Sequence, residues 1–195
     1  MLKSIGRDLS GFNNILDFGC GCGRIIRALR CHLPTHHLYG TDIDSEAIEW
    51  LKNNYNYVAE FSLSSHTPPM PYKDNMFDFI YSISVFTHLP EDMQFAWLEE
   101  LRRVEEPGGY LILTTHGEKH YQKLAPEKLK IMYEKGFYYN DDENIFTEGL
   151  PMFYKVSYHS INYITKEWKK YFDIIRFIPR GLEDHQDIIL LQKRT

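Results

Sequence analysis

Ile15-Leu16-Asp17-Phe18-Gly19-Cys20-Gly21-Cys22-Gly23-Arg24 passes from an apolar segment into three alternating glycines. Glycines at this spacing let a backbone turn sharply out of a buried strand and approach a ligand closely, because no Cβ stands in the way. Asp42 closes a second apolar segment, His37-Leu38-Tyr39-Gly40. In a strand-turn-helix-strand unit that carboxylate comes beside the first turn, where it can accept hydrogen bonds from both hydroxyls of a ribose. Turn and acid together point to a nucleotide-type cofactor. A dinucleotide fingerprint needs G-x-G-x-x-G facing a pyrophosphate; here the third glycine comes one residue early and Arg24 fills the later position.

Read as Asp-x-Gly-x-Gly-x-Gly over Asp17, Gly19, Gly21 and Gly23, the stretch resembles motif I of class I S-adenosylmethionine-dependent methyltransferases. Their cofactor carries an amino acid tail rather than a pyrophosphate, and an acid at Asp17 suits its ammonium group. Tyr39-Gly40-Thr41-Asp42-Ile43-Asp44 is similar to the family's second-strand motif, with Asp42 in the ribose position and Ile43 next to the adenine. Pro68-Pro69-Met70-Pro71-Tyr72, followed by Asn75 to Ser82, resembles the approach to strand four. Leu101-Arg102-Arg103-Val104 through Pro107-Gly108-Gly109-Tyr110 resembles the helix and turn before strand five. Within the family the chain most resembles small bacterial methyltransferases of the type 11 or 12 kind. The resemblance implies S-adenosyl-L-methionine as cofactor, held by Asp17, Gly19, Cys20, Gly21, Gly23, Asp42 and Ile43, with Ser82, Ser84 and Phe86 at the end of strand four. One departure is local: many relatives carry Gly-Asp after strand three, the acid meeting the adenine amino group, and this chain has Ser64-Ser65-His66 there.

Strand and helix patterns alternate along the chain, as in a parallel sheet covered on both faces. Strands are expected at Ile15 to Phe18, His37 to Thr41, Tyr57 to Phe61, Phe77 to Ile83, Tyr110 to Thr115, Tyr171 to Ile178 and Asp187 to Gln192. Ile25, Ile26 and Leu29 form an apolar stripe after the first turn; Asp44 or Ser45 can cap a helix through Ile48 and Leu51; Pro90-Glu91-Asp92 opens another through Leu98 and Leu101. The last two strands, separated by Pro179-Arg180-Gly181, look like the antiparallel hairpin that ends the methyltransferase sheet. The expected fold is therefore an α/β three-layer sandwich with a Rossmann-like, seven-stranded, mostly parallel sheet and a C-terminal antiparallel hairpin.

The 195 residues, 43% of them hydrophobic, are enough for a single three-layer domain spanning 1–195. Neither a membrane span nor a signal peptide is legible, so a cytoplasmic location is the default. A formal charge of −5 argues against a large nucleic-acid footprint, and Lys166, Lys169 and Lys170 read as a solvated helix face. Cys20, Cys22 and Cys31 make neither a disulfide framework nor a zinc site and read as small buried residues.

About fourteen residues precede the first strand, where relatives often have a helical lid; the expectation is a lid that is short, lost or supplied by a partner. The segment from about 116 to 166 is long and aromatic, with Gly136-Phe137-Tyr138-Tyr139 and Gly149-Leu150-Pro151-Met152-Phe153-Tyr154, and reads as a helix plus a substrate-facing cover. A sulfonium already activates its methyl carbon, so the protein need only align an acceptor and sometimes supply a base. Bases belong at the carboxyl ends of strands, and histidine suits the working pH. His116, after strand five, and His159 with Tyr163 in the cover are the catalytic candidates; His88 is expected to pack beside the cofactor. His116 and His120 have helical spacing that could hold a metal, but the metalloprotease pattern puts Glu directly after the first His, and no metal is expected. An aromatic, modestly acidic cover favours a small-molecule, sugar or peptide acceptor over nucleic acid. Two other readings are an NAD-dependent oxidoreductase, which keeps Gly19, Gly21 and Asp42 but leaves Asp17 and the closing hairpin unexplained, and a non-catalytic domain that binds cofactor or partner within a larger assembly.

Overall fold

All of the expected strands form. In the computed structural model, which describes residues 1–142 and 151–195, they are β1 (Asn14–Phe18), β2 (His37–Asp42), β3 (Glu60–Leu63), β4 (Phe77–Ser82), β5 (Glu105–Thr115), β8 (Asp173–Leu182) and β9 (Gln186–Gln192). The intervening β6 (Phe137–Asn140) and β7 (Val156–His159) were not legible in the sequence. The helices are α1 (Arg24–His32), α2 (Ser45–Asn54), α3 (Glu91–Val104), the single turn α4 (Glu118–Tyr121), α5 (Pro126–Lys135) and α6 (Ile161–Glu167). The 3-10 turns Leu2–Ile5 and Leu9–Gly11 precede β1.

The main sheet has the order β3-β2-β1-β4-β5-β9-β8. β1 to β5 run parallel, and β9 lies antiparallel to both β5 and β8. Because the order reverses at β1, with β2 on one side and β4 on the other, the loops after these strands diverge and leave a crevice at their carboxyl ends. β1 is buried on both faces: Ile15 and Leu16, neighbours in sequence and fully buried, belong to apolar cores on opposite sides of the sheet, as the two-residue period of a strand requires. Each such side chain contributes roughly 1.5–3 kcal/mol by leaving water.

Asp44 is the cap that α2 uses, its carboxylate accepting from the Ala47 N–H at 3.0 Å. On α1 the expected stripe shifts: Ile26 is buried, but Ile25 is 41% exposed, because the helix starts at Arg24 and turns the first isoleucine outward. β3 begins later than expected, since the chain leaving α2 first makes a turn in which the Val58 N–H donates to the Tyr55 carbonyl. Only Cys20 is buried; Cys22 and Cys31 are exposed, contrary to the expectation for all three. Lys166, Lys169 and Lys170 are exposed, as expected, with Lys166 and Lys170 flanking Glu167.

The cover is more ordered than a helix with a loop. β6 and β7 pair antiparallel, and β7 is fastened to the main sheet by the Ser157 N–H on the Thr87 carbonyl at 2.7 Å and the His159 N–H on the His116 carbonyl at 2.9 Å. Gly149 and Leu150 lie outside the described residues, while Pro151 to Tyr154 lead into β7.

Candidate functional site

The loop after β1 is tied to the end of β2. The N–H groups of Gly19 and Cys20 both donate to the Thr41 carbonyl, at 2.8 and 3.0 Å. Gly21 N–H donates to Asp42 Oδ2 at 2.7 Å, and the other carboxylate oxygen accepts from Asp44 N–H at 3.0 Å. Gly19 and Gly21 serve different purposes, although both have positive φ, +81° and +50°. A Cβ on Gly19 would lie 2.2 Å from Val85 Cγ2, so that glycine is required for packing against the loop after β4. A Cβ on Gly21 would meet nothing within 4 Å, so that glycine faces open space.

That space is a cleft of about 800 Å³, within the range of small-molecule and cofactor sites. Its walls are the ends of the strands, Phe18 and Gly19 after β1, Thr41 to Asp44 after β2, Ser64 and His66 after β3, and Ile83 to Val85 after β4. Trp97 on α3, Leu89, and Pro151, Phe153 and Tyr154 from the cover close it. The His66 ring stands edge-on to Phe153, centroids 5.4 Å apart. Ser84 adopts φ +63°, a conformation a non-glycine residue keeps only where its surroundings enforce it; its N–H donates to Thr114 Oγ1 at 2.8 Å and its hydroxyl pairs with the Gln186 amide.

Of the residues expected to hold cofactor, Gly19, Gly21, Asp42, Ile43 and Ser84 line the cleft. Gly23 instead caps the start of α1. Cys20 and Ser82 are buried, and Phe86 is wholly enclosed, edge-on to Trp168 at 5.4 Å; the chain turns after β4 so that Val85, not Phe86, reaches the cleft. Asp17 lies beneath the loop, 2% exposed. Burial pushes its carboxyl up to about 7, outweighing the Tyr81 hydroxyl beside it, and the Asp42 charge adds to the rise.

The catalytic candidates do not converge on the cleft. His159 is 1% exposed, in the core between Phe137 and Trp168, with Nε2 2.8 Å from Gln94 Oε1. Gln94 in turn donates to the carbonyls of Phe86 and Leu89, so His159 braces the loop that forms one cleft wall. Tyr163 stacks on Phe137 and its hydroxyl donates to Glu91 at 2.7 Å, away from the cleft. Both were expected in a helix plus a substrate-facing cover; as β7 and α6 that segment packs them inward. His116 sits one aromatic layer behind the cleft wall, its ring 6.2 Å from that of His88, which stacks on Tyr154 at 4.1 Å. Burial, with His120, His88 and His185 adding to it, lowers the His116 pKa to about 3. His88 carries its hydrogen on Nδ1, since that atom lies 2.6 Å from the Lys155 carbonyl; burial lowers its pKa and keeps it neutral. Trp97 was missed because its helical spacing with Leu101 reads equally well as core.

A glycine loop answered by an acid on the neighbouring strand, at the crevice of a sheet closed by a reversed β9, defines the Rossmann-like fold of class I methyltransferases. The family described as "Methyltransferase domain" matches residues 16–113, half of the chain. The chain belongs to this family of S-adenosylmethionine-dependent methyltransferases, and the dehydrogenase reading falls with that match. A malonyl-[acyl-carrier protein] O-methyltransferase of Hahella chejuensis is 28% identical over 59% of this chain and 43% of its own length. A tRNA N(3)-methylcytidine methyltransferase, trm140, of Schizosaccharomyces pombe is 25% identical over 86% of this chain and 55% of its own. The chain thus spans between 31% and 55% of the length of the curated relatives it matches. Among solved structures, a SAM-dependent methyltransferase from Methanosarcina mazei superposes with a TM-score of 0.70 at 23% identity, covering 100% of this chain and 98% of that one. Human N-acetylserotonin methyltransferase in complex with SAM gives a TM-score of 0.65 at 17% identity over 98% of this chain and 50% of that one; both likenesses concern the fold. Among the described residues, no helix is long and apolar enough to cross a membrane.

Two outcomes are expected. The folded protein retains a proton on Asp17 between about pH 4 and 7 that the unfolded chain has lost, so this group's stabilising contribution is complete below about pH 4 and fades as pH rises through 7. Asp17→Asn removes that slope: in urea unfolding from pH 4 to 7 the variant gains on the wild type by on the order of 1.4 kcal/mol per pH unit, and parallel stability profiles would refute the buried carboxyl. His159→Ala, which leaves the Gln94 amide oxygen unpaired, costs about 1–3 kcal/mol in the same assay; a loss below a few tenths would show that it braces nothing.

Proposed function

We propose that this chain transfers the methyl group of S-adenosylmethionine to a small-molecule acceptor bound under the aromatic cover. The observation that carries the reading is the open face of Gly21 beside the Asp42 carboxylate, a cradle that any side chain at 21 would fill. The donors present fit the cofactor. Asp42 keeps lone pairs for two ribose hydroxyls after accepting from Gly21 and Asp44, and Ile43 offers an apolar surface to adenine. Ser64 and His66, which line the cleft where relatives have an acid, would meet the adenine edge, with Phe153 closing over His66. Asp17, buried and without a salt-bridge partner among the described residues, is a site where an ammonium group would favour the ionised carboxylate.

When bound, the cofactor supplies an already activated methyl carbon, which leaves alignment to the protein. Phe18, Leu89, Trp97 and Tyr154 give the cleft apolar walls. Burial raises the Tyr154 phenol's pKa, so it stays protonated and able to donate, and neutral His88 beneath it has Nε2 as an acceptor. Pro151, Phe153 and Tyr154 favour a small acceptor, as does the net charge of −5. A second reading, a tRNA acceptor, is favoured by the several relatives named as tRNA N(3)-cytidine methyltransferases.

The test is transfer of radiolabelled methyl to a deproteinised small-metabolite extract and, separately, to total tRNA. Label in the metabolite fraction is expected, with Asp42→Ala weakening cofactor binding by about 1–3 kcal/mol. Label in tRNA would establish the second reading. Label in neither, with cofactor binding intact, would favour the non-catalytic alternative.

A further inference from the structure

We propose that His116, His120 and His185 form a binding site for one divalent transition-metal ion of the zinc type. The three come from separate elements: His116 follows β5, His120 lies in α4, and His185 is in the turn between β8 and β9. One ring nitrogen of each lies within 4.8 Å of those of the other two. The His120 ring centroid is 4.5 Å from that of His116 and 4.5 Å from that of His185.

Packing alone accounts poorly for this arrangement. His116 Nδ1 is buried and has no hydrogen-bond partner among the described residues, a cost that a ligand would relieve. His120 Nε2 lies 2.7 Å from the His185 carbonyl; a carbonyl only accepts, so Nε2 carries the hydrogen and Nδ1 keeps its lone pair. A ring N–H donated to a backbone carbonyl is the usual partner arrangement of a metal-ligating histidine. Burial lowers the pKa of both His116 and His120 and so keeps them in the neutral, ligating form. Nearby charge is of both signs: Lys119 and Lys123 act on His120, Lys119 being paired with Asp184 at 2.6 Å, and the Asp187 carboxylate interacts with the same ring.

Nitrogens bound to tetrahedral zinc at 2.0–2.1 Å stand about 3.3 Å apart, so the rings must swing together by up to roughly 1.5 Å. His185, exposed at the tip of a hairpin, has the freedom to do so. Three imidazoles suit Zn²⁺, Co²⁺ or Ni²⁺ rather than Mg²⁺ or Ca²⁺, which take oxygen ligands, and they leave a coordination position open. The site lies just behind the cleft: Gln186, next to His185, holds Ser84, and His116 neighbours the His88–Tyr154 stack. A bound ion would clamp the β8–β9 hairpin to β5 and α4 and stiffen that wall.

The test uses the full chain without an affinity tag, stripped by chelator, in a Cys22→Ser, Cys31→Ser background that removes the exposed thiols as competing ligands. Zn²⁺ is titrated against a chromophoric chelator, and Co²⁺ is followed by its visible absorption. Expected are one equivalent of Zn²⁺, undisturbed by excess Mg²⁺, and a rise in melting temperature on binding. His185→Ala and His120→Ala should each weaken binding at least about tenfold; His185→Ala should leave the metal-free melting temperature unchanged, because that side chain is exposed. Absence of stoichiometric binding, or affinity unchanged in both variants, overturns the assignment.

Discussion

The hydrogen bond from the Gly21 N–H to the Asp42 carboxylate, 2.7 Å long, joins the loop after β1 to the end of β2. It is formed between parallel neighbours whose register places Asp17 opposite Gly40 and Phe18 opposite Thr41, and the loop's first N–H groups already rest on the Thr41 carbonyl. One carboxylate therefore shapes the loop and faces the cleft. The rest of the site follows from this fixed corner: the glycine at 21 borders open space beside the carboxylate, and the glycine at 19 must lack a side chain because the loop is held against Val85.

A second constraint is the fastening of the cover. β7 donates hydrogen bonds from its Ser157 and His159 N–H groups to the Thr87 and His116 carbonyls, in the chain just beyond β4 and β5, while His159 holds the Gln94 side chain, whose amide donates to the Phe86 and Leu89 carbonyls from within. Pro151, Phe153 and Tyr154 are thereby held over the cleft by a small sheet. Acceptor selection, which differs among enzymes that share a fold, falls on this element.

The sheet was legible because its signals are local. Apolar runs ending in glycine or acid mark β1 and β2, and Pro90-Glu91-Asp92 marks the start of α3. Gly19, Gly21, Asp42, Ile43 and Ser84 were legible for the same reason, since a strand's end and the loop after it are fixed by short-range sequence. Pro151, Phe153 and Tyr154, part of the aromatic stretch expected in the cover, line the cleft, whereas Met152 between them is exposed. What the sequence withheld depends on long-range packing. Whether His159 faces solvent or core depends on β6 pairing with β7, and nothing at residues 137–140 announces a partner sixteen or more positions away. Whether Trp97 lines a cleft or fills a core is decided by what stands opposite it. The convergence of His185 on His116 and His120 depends on β9 lying beside β5, which sequence spacing does not encode.

Calorimetric titration of the chain and of Gly21→Val with S-adenosylhomocysteine, and with NAD for comparison, tests most directly whether the cradle at Gly21 and Asp42 holds the adenosyl cofactor. Binding of S-adenosylhomocysteine but not NAD by the wild type, abolished in a Gly21→Val protein whose circular dichroism is unaltered, is the expected result. Equal S-adenosylhomocysteine affinity in the variant, or a preference for NAD, would contradict it.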